Sequence, residues 1–154
     1  MQQLLHNLKY RGHEEISAYL GNWLGSQLTH LENYKTIDAV IPVPMHPKKM
    51  KTRGYNQVEG FGKALAQHLH CAYVNQILTK TTNTKTQVFK NRFLRSEKVL
   101  EAFDVVDTES LKGKHILLVD DIITTGATLE ACALALQKIP NIKLSIATMA
   151  IAVS

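Results

Sequence analysis

The sequence predicts an α/β fold, in which helices flank a central parallel sheet. Short apolar runs alternate with helical patterns along the chain, which is the signature of parallel strands joined by right-handed crossovers. One run, residues 116–119, is continuously apolar, as expected of a strand buried on both faces. An acidic pair and a turn rich in threonine follow this run, where an open α/β sheet presents its ligands.

Composition limits the functional classes. The chain has 154 residues, 45% of them hydrophobic and 20% charged, which is ordinary for one soluble domain. The net charge of +5 favours polyanionic partners such as phosphorylated metabolites or nucleic acid, although a solvated basic surface explains it equally well. No apolar run is long enough to cross a membrane, so no membrane partner is expected. The two cysteines form no disulfide framework, which favours a reducing, cytoplasmic compartment.

The first half of the chain predicts a helix, a strand and a second helix. Apolar residues recur at threes and fours from residue 14 to about residue 31, which predicts an amphipathic helix with Tyr19 and Trp23 in the core. Residues 37–41 predict a strand that Pro42 and Pro44 end. A further helix is predicted from residue 56 to about residue 70.

A basic loop connects this strand to the following helix. Its cations are Lys48, Lys49, Lys51 and Arg53. If the strands are parallel, the loop lies at the same sheet edge as the acidic pair. A charged loop in solvent is the plain alternative, but the position and the density of cations favour phosphate binding.

The second half predicts strands over residues 72–78 and 102–106, a helix over 129–138 and a last strand over 142–153. Residues 79–98 are polar and basic, with Phe89 and Phe93 as apolar anchors. Three interpretations of this segment stay open: a lid over phosphates, an ordinary mobile loop, or a surface for single-stranded nucleic acid.

The turn after the acidic pair suits a phosphate. A turn at a helix N-terminus gathers unpaired backbone N–H groups and the positive end of the helix dipole. An anion alone does not need carboxylates around it, so Asp120 and Asp121 fit a ligand that also carries hydroxyls or a metal. The sequence therefore predicts a site for a sugar phosphate at this edge.

Residues 119–128 (VDDIITTGAT) resemble the phosphoribosyl-pyrophosphate (PRPP) signature of type I phosphoribosyltransferases. Residues 42–49 (PVPMHPKK), residues 53–57 (RGYNQ), and Thr86-Gln87 with Arg92 resemble the ComF family of competence proteins. Many members of that family begin with a four-cysteine zinc module, which these residues do not supply. The resemblance otherwise covers nearly the whole chain.

The resemblance implies a single domain, residues 1–154, with a helical hood over residues 1–35 and a PRPP-binding core over residues 36–154. It implies a Mg²⁺-dependent glycosyltransferase, specifically a pentosyltransferase, that moves phosphoribosyl from PRPP to an acceptor. Asp120 and Asp121 would be the catalytic pair, holding the ribose hydroxyls directly or through Mg²⁺. The residues that would wrap the 5-phosphate are Thr124, Thr125, Gly126, Ala127 and Thr128. Lys48, Lys49, Lys51 and Arg53 would face the pyrophosphate, and Arg92 and Arg95 would belong to a mobile loop that closes over the site.

Other functions fit the same residues. The chain could be a PRPP-sensing module with little turnover, linked to competence and DNA uptake, or it could bind single-stranded DNA through residues 80–95. Dimers are common in the superfamily, so a homodimer is one expected state. The sequence names neither the acceptor nor the oligomeric state.

Overall fold

The computed structural model describes residues 14–45, 50–51, 54–80 and 103–152. The elements in chain order are α1 (Glu14–Leu28), a 3-10 turn (Glu32–Tyr34), β1 (Ala39–Pro42), α2 (Val58–His68), β2 (Ala72–Tyr73), β3 (Leu78–Lys80), β4 (Phe103–Val105), a second 3-10 turn (Glu109–Leu111), β5 (His115–Ile123), α3 (Ala127–Leu136) and β6 (Lys143–Ile151). Four strands form a parallel sheet in the order β2-β1-β5-β6, and β3 pairs with β4 in a separate antiparallel ribbon. The predicted α/β fold with a central parallel sheet is confirmed. Within the described part of the chain, no helix is both long and apolar enough to cross a bilayer.

Strand β5 is the centre of the sheet and extends beyond its neighbour β1. It pairs with β1 from Ala39 opposite Ile116 to Pro42 opposite Val119, and with β6 along nearly its whole length. The sequence predicts a strand that stops before the acidic pair, and this boundary is wrong, because β5 continues to Ile123. The reason is that β6 keeps supplying backbone partners beyond the apolar run. Asp120 and Asp121 therefore lie within β5, beyond the end of β1 but still beside β6.

The two faces of the sheet are covered by different helices. Ile116 and Leu118 pack on one face with α3, in a cluster that also contains Leu129 and Cys132. Leu117 and Val119, the alternate residues, pack on the other face with α1 and α2. This alternation in a continuous apolar run is what a strand buried on both faces requires.

Helix α1 lies against α2 at unusually close range. A Cβ atom on Gly21 would lie 2.6 Å from the carbonyl oxygen of Phe61, and one on Gly25 would lie 2.7 Å from Cδ2 of His68. At its N-terminal end, α1 places Ile16 against Ile122 and Ala150 at the carboxyl ends of β5 and β6. The division into a hood and a core stays a prediction, because residues 1–13 lie outside the described part of the chain.

The predicted core positions of Tyr19 and Trp23 are wrong. Their exposed fractions are 70% and 61%. The face of α1 that packs is marked instead by Ser17, Gly21 and Gly25, which repeat every fourth residue and are buried. Small side chains let the axes of α1 and α2 approach closely. Tyr19 and Trp23 lie instead on the side of α1 that faces solvent.

The single strand predicted over residues 72–78 is two strands in the structure. Ala72 and Tyr73 add an edge to the main sheet, and Leu78 begins the ribbon with β4. The strand predicted over residues 102–106 is observed as β4. Because Lys80 is paired with Phe103, the ribbon brings together the two ends of the segment 81–102.

His115 is buried at the amino end of the sheet, where hydrogen bonds hold its side chain. The N–H of His115 donates to Asp38 Oδ2 over 2.8 Å. Its ring nitrogens Nδ1 and Nε2 lie 2.8 Å from Thr36 Oγ1 and 2.9 Å from Ser145 Oγ. Burial, followed by the charge of Lys143, lowers the pKa of the His115 imidazole, although Asp38 acts in the opposite direction. The ring is therefore a neutral structural group, far along β5 from the acids.

Candidate active site

The turn between β5 and α3 forms a small cradle, which we define as residues 124–128. Gly126 is the N-cap of α3 with φ of +78°, and as a glycine it supplies no capping side chain. Thr125 Oγ1 accepts a hydrogen bond from the Ala127 N–H at 3.4 Å. Together with Asp120, Ile122, Ile123 and Leu129, the cradle lines a concave surface. The N–H groups of a first helical turn have no partner within the helix, so those that the Thr125 hydroxyl does not satisfy can bind a ligand on that surface.

The two acids are consecutive residues of β5. Asp120 lines the concave surface with the cradle, and its carboxylate accepts a 2.8 Å hydrogen bond from the N–H of Asp121. Both residues are half-buried. The structure thus brings Asp120 and all five predicted cradle residues together around one surface, and Asp121 follows Asp120 on the same strand.

The charge of Asp120 acts on the buried thiol of Cys132 in α3. Burial, followed by the charge of Asp120, raises the pKa of Cys132 to about 12, and Lys80 acts in the opposite direction. Cys132 lies about one helical turn beyond the cradle. A thiol with this pKa is protonated and inert at neutral pH, so Cys132 is a packing residue.

The basic loop starts and ends beside β5. Its entry is held by the Val43 N–H, which donates to Val119 O at 2.8 Å. Its exit is held by Asn56, whose Nδ2 donates to Val43 O at 3.4 Å and whose Oδ1 accepts the Val58 N–H at 3.2 Å. Of the predicted pyrophosphate residues, Lys51 is described and exposed, whereas Lys48, Lys49 and Arg53 lie outside the described residues.

Asn56 and Lys80 are two residues whose roles the sequence did not reveal. Asn56 ties the loop exit to the strand, and its sequence signals were an asparagine before a helix and its place in the motif of residues 53–57. Lys80 ends β3, with Nζ 5.3 Å from the centroid of the Phe103 ring. It precedes the basic segment whose predicted loop residues, Arg92 and Arg95, lie outside the described part of the chain.

Two carboxylates alone do not form a dedicated metal cage. Among the described residues, no group of three or more histidine, cysteine, aspartate or glutamate side chains is placed to hold a metal ion. Mg²⁺ is usually held by one or two carboxylates together with substrate phosphates and waters. Asp120 and Asp121 therefore fit a magnesium ion that arrives with a phosphorylated ligand.

A domain model and several known proteins are similar to this chain in sequence. A sequence model described as the phosphoribosyl transferase domain matches residues 59–150. The DNA utilization protein YhgH of Escherichia coli (strain K12) is 30% identical over 136 residues, which are 86% of this chain and 59% of that protein. The competence protein F of Haemophilus influenzae is 32% identical over 106 residues, 68% of this chain and 46% of that protein. The competence protein ComFC of Bacillus subtilis is 27% identical over 133 residues, 86% of this chain and 52% of that protein. The chain thus spans less than three-fifths of these relatives.

Solved structures show the same fold at low identity. The glutamine PRPP amidotransferase from B. subtilis superposes with a TM-score of 0.61 and 18% identity, over 94% of this chain and 30% of that chain. An adenine phosphoribosyltransferase superposes with a TM-score of 0.53 and 17% identity, over 83% of this chain and 66% of that chain. At these identities the likeness concerns the fold alone.

Proposed function

The chain belongs to the phosphoribosyl transferase domain family, in its ComF-like branch, and we propose that it binds PRPP and transfers the phosphoribosyl group to an acceptor. One observation carries the proposal: the N-terminus of α3, with Gly126 at φ of +78°, shares a concave surface with Asp120. A phosphate and a sugar on one ligand would satisfy both halves of that surface.

The 5-phosphate would occupy the cradle. Backbone N–H groups of the first turn of α3 and the hydroxyls of Thr124, Thr125 and Thr128 would donate to its oxygens. The three threonines are exposed or lie at the surface of the turn, so their hydroxyls can reach a ligand. The positive end of the helix dipole adds to the attraction.

The ribose would lie between the cradle and the acidic pair. Asp120 and Asp121 would accept hydrogen bonds from its 2- and 3-hydroxyls, directly or through Mg²⁺. When bound, Mg²⁺ would neutralise charge on the departing pyrophosphate. Breaking the bond to pyrophosphate builds positive charge on the ribose, and the nearby carboxylates favour that state. Asp120 and Asp121 are therefore the proposed catalytic residues.

The pyrophosphate would face the basic loop. Lys48, Lys49, Lys51 and Arg53 would supply cations from a loop whose two ends are fixed to β5 through Val43. Arg92 and Arg95 would come from the segment that begins at β3 and ends at β4, closing over the reacting centre to exclude water. We place the acceptor under the hood of residues 1–35, above the core of residues 36–154.

Pyrophosphate release tests this function. The protein is incubated with PRPP, Mg²⁺ and a panel of candidate acceptors, and release is followed for wild type and for Asp120→Asn. Asp104→Asn is a matched control, because Asp104 also accepts the N–H of its own neighbour, Val105, at 2.9 Å but lies on β4. We expect release with at least one acceptor, its loss in Asp120→Asn and its retention in Asp104→Asn. Release that persists unchanged in Asp120→Asn would contradict the assignment.

We also propose a second candidate, a module that senses PRPP or binds single-stranded DNA, because the relatives are named competence and DNA utilization proteins. PRPP binding without release for any acceptor would support the sensor. For DNA, affinity should fall steeply with salt, and neutralising Lys85, Arg92 and Arg95 should lower the salt slope by about two. A salt-independent affinity would exclude the DNA surface.

We predict that the protein is cytoplasmic and that it forms a homodimer.

A further inference from the structure

The outer side of β6 is an open edge of the main sheet. β6 pairs with β5 on one side, and within the described ranges no strand pairs with its other side. The Lys143 N–H donates to Lys114 O at 2.9 Å. Residues of a parallel ladder alternate, so the backbone N–H and C=O groups of Leu144, Ile146 and Thr148 point outward. A nine-residue edge strand without proline, whose only charge is at its first residue, is a template for another strand.

Helix α1 lies over β6, and α2 lies over the other half of the sheet. Ile16 of α1 packs against Ala150 of β6. A Cβ on Gly62 of α2 would lie 2.7 Å from the ring of Tyr73 in β2, at the opposite edge. The side of α1 that faces away from α2 is therefore the side nearest to the open edge.

Two aromatic side chains occupy that side of α1. Tyr19 and Trp23 lie about 180° around the helix axis from Gly21 and Gly25, the glycines that contact α2. Both aromatic side chains are mostly exposed. Tyrosine and tryptophan are enriched in protein interfaces. An open backbone edge and an exposed aromatic pair thus lie on one side of the molecule.

We propose that the outer side of β6, together with Tyr19 and Trp23, binds a second copy of this chain through antiparallel pairing of the two β6 strands. The inference is independent of the PRPP site, and it gives the predicted homodimer its surface. A two-fold axis at Ile146 pairs Leu144 of each copy with Thr148 of the other, so the outward backbone groups of both strands find partners. The same axis keeps both α1 helices on one face of the joined sheet, with their aromatic side chains toward each other.

The charges near the two ends of β6 favour a second copy as the partner. Lys143 is exposed, and it lies on the same face of the sheet as Ala147, the face that α1 covers. With the axis at Ile146, Lys143 of one copy lies opposite Met149 of the other, beside the N-terminal half of α1. Glu15 is exposed in that half of α1. Antiparallel pairing therefore brings opposite charges together at both ends of the joint.

Sedimentation equilibrium from about 1 to 100 μM tests the proposal, since this range covers the affinities of small interfaces. Ile146→Lys places two like charges at the two-fold axis, and Trp23→Ser removes the aromatic contact without changing the sheet. Val106→Lys is the matched control, because Val106 is 54% exposed, compared with 44% for Ile146, and lies beside Ala72 of β2 at the opposite edge. Melting temperatures show whether each variant is folded, and Trp23→Ser alone decides if Ile146→Lys is unstable.

We expect wild type and Val106→Lys to form equally stable dimers. Ile146→Lys should dimerise at least about a hundredfold more weakly and Trp23→Ser about tenfold more weakly. A monomeric wild type, or a dimer that neither substitution weakens, would overturn the proposal. The PRPP affinity of Ile146→Lys should equal that of wild type, so the failure of this interface would leave the PRPP site intact.

A charge exchange tests the antiparallel arrangement itself. Glu15→Lys and Lys143→Glu should each weaken the dimer, because each places like charges together at both ends of the joint. The double variant restores opposite charges and should dimerise as wild type does. A double variant that dimerises no better than either single variant would overturn the arrangement.

Discussion

The backbone N–H of Asp121 donates to the carboxylate of Asp120 over 2.8 Å. This bond holds the Asp120 carboxylate beside the backbone of β5, where Asp120 lines the concave surface of the cradle. An asparagine at position 120 would keep the acceptor oxygen and lose the charge, so charge and fold can be separated by experiment.

Gly126→Ala should weaken phosphate binding. The φ of +78° is in the left-handed region, and an added Cβ would meet no atom within 4 Å, so backbone strain is the whole cost. That strain is worth about 1–2 kcal/mol. The cradle can relieve it by rotating its N–H groups away from the ligand, which would lower the affinity for ribose 5-phosphate in a titration.

Gly113→Ala is the control for this substitution. Gly113 has φ of +70° and equally open space, but it lies in the turn before β5, at the other end of the sheet. It should lose similar stability and keep full affinity. Equal affinities for the two glycine variants would contradict the cradle.

Gly21→Ala should destabilise the protein although alanine favours helices. The new Cβ would lie 2.6 Å from Phe61 O and 2.8 Å from Ala64 Cβ, so α1 must move away from α2. Overpacking of this kind costs about 1–3 kcal/mol, more than the roughly 1 kcal/mol that alanine gains over glycine in a helix. Urea unfolding measures the difference, with Gln27→Ala on the exposed side of α1 as control. A more stable Gly21→Ala would show that the helices are not in contact.

Stability should fall as the pH drops below neutrality. The pKa of His115 is lowered from its ordinary value of 6.5, chiefly by burial and then by Lys143. The unfolded chain therefore takes up the proton first, so the contribution is complete above about pH 7 and is lost as the pH falls through 6.5 toward the lower folded pKa. Urea unfolding between pH 5 and 8 should show a smaller slope in His115→Gln than in wild type. His30→Gln, an exposed histidine, should keep the slope; if it removes the slope instead, His115 is not the titrating group.

The cradle could be predicted from local sequence patterns because one short segment forms it. The acids, the threonines and Gly126 are consecutive, and a strand followed by a helix places them in one turn whatever surrounds them. The sheet was predictable for the same reason, since a continuous apolar run on β5 requires cover on both faces.

Features that depend on distant partners could not be read from the sequence. The length of β5 depends on β6, about 28 residues further along the chain. The exposure of Tyr19 and Trp23 depends on where α2 contacts α1. Lys80 was one lysine among several in a basic stretch, and its orientation depends on Phe103, which lies beyond the segment 81–102.

The most direct test of the central claim is a calorimetric titration of PRPP with Mg²⁺ into wild type and into the double variant Asp120→Asn with Asp121→Asn. Asp104→Asn serves as the control. The wild type and the control should bind, and the double variant should lose at least about a hundredfold in affinity while its melting temperature stays close to that of wild type. PRPP affinity that is the same in the double variant and in wild type would contradict the site at the carboxyl end of β5.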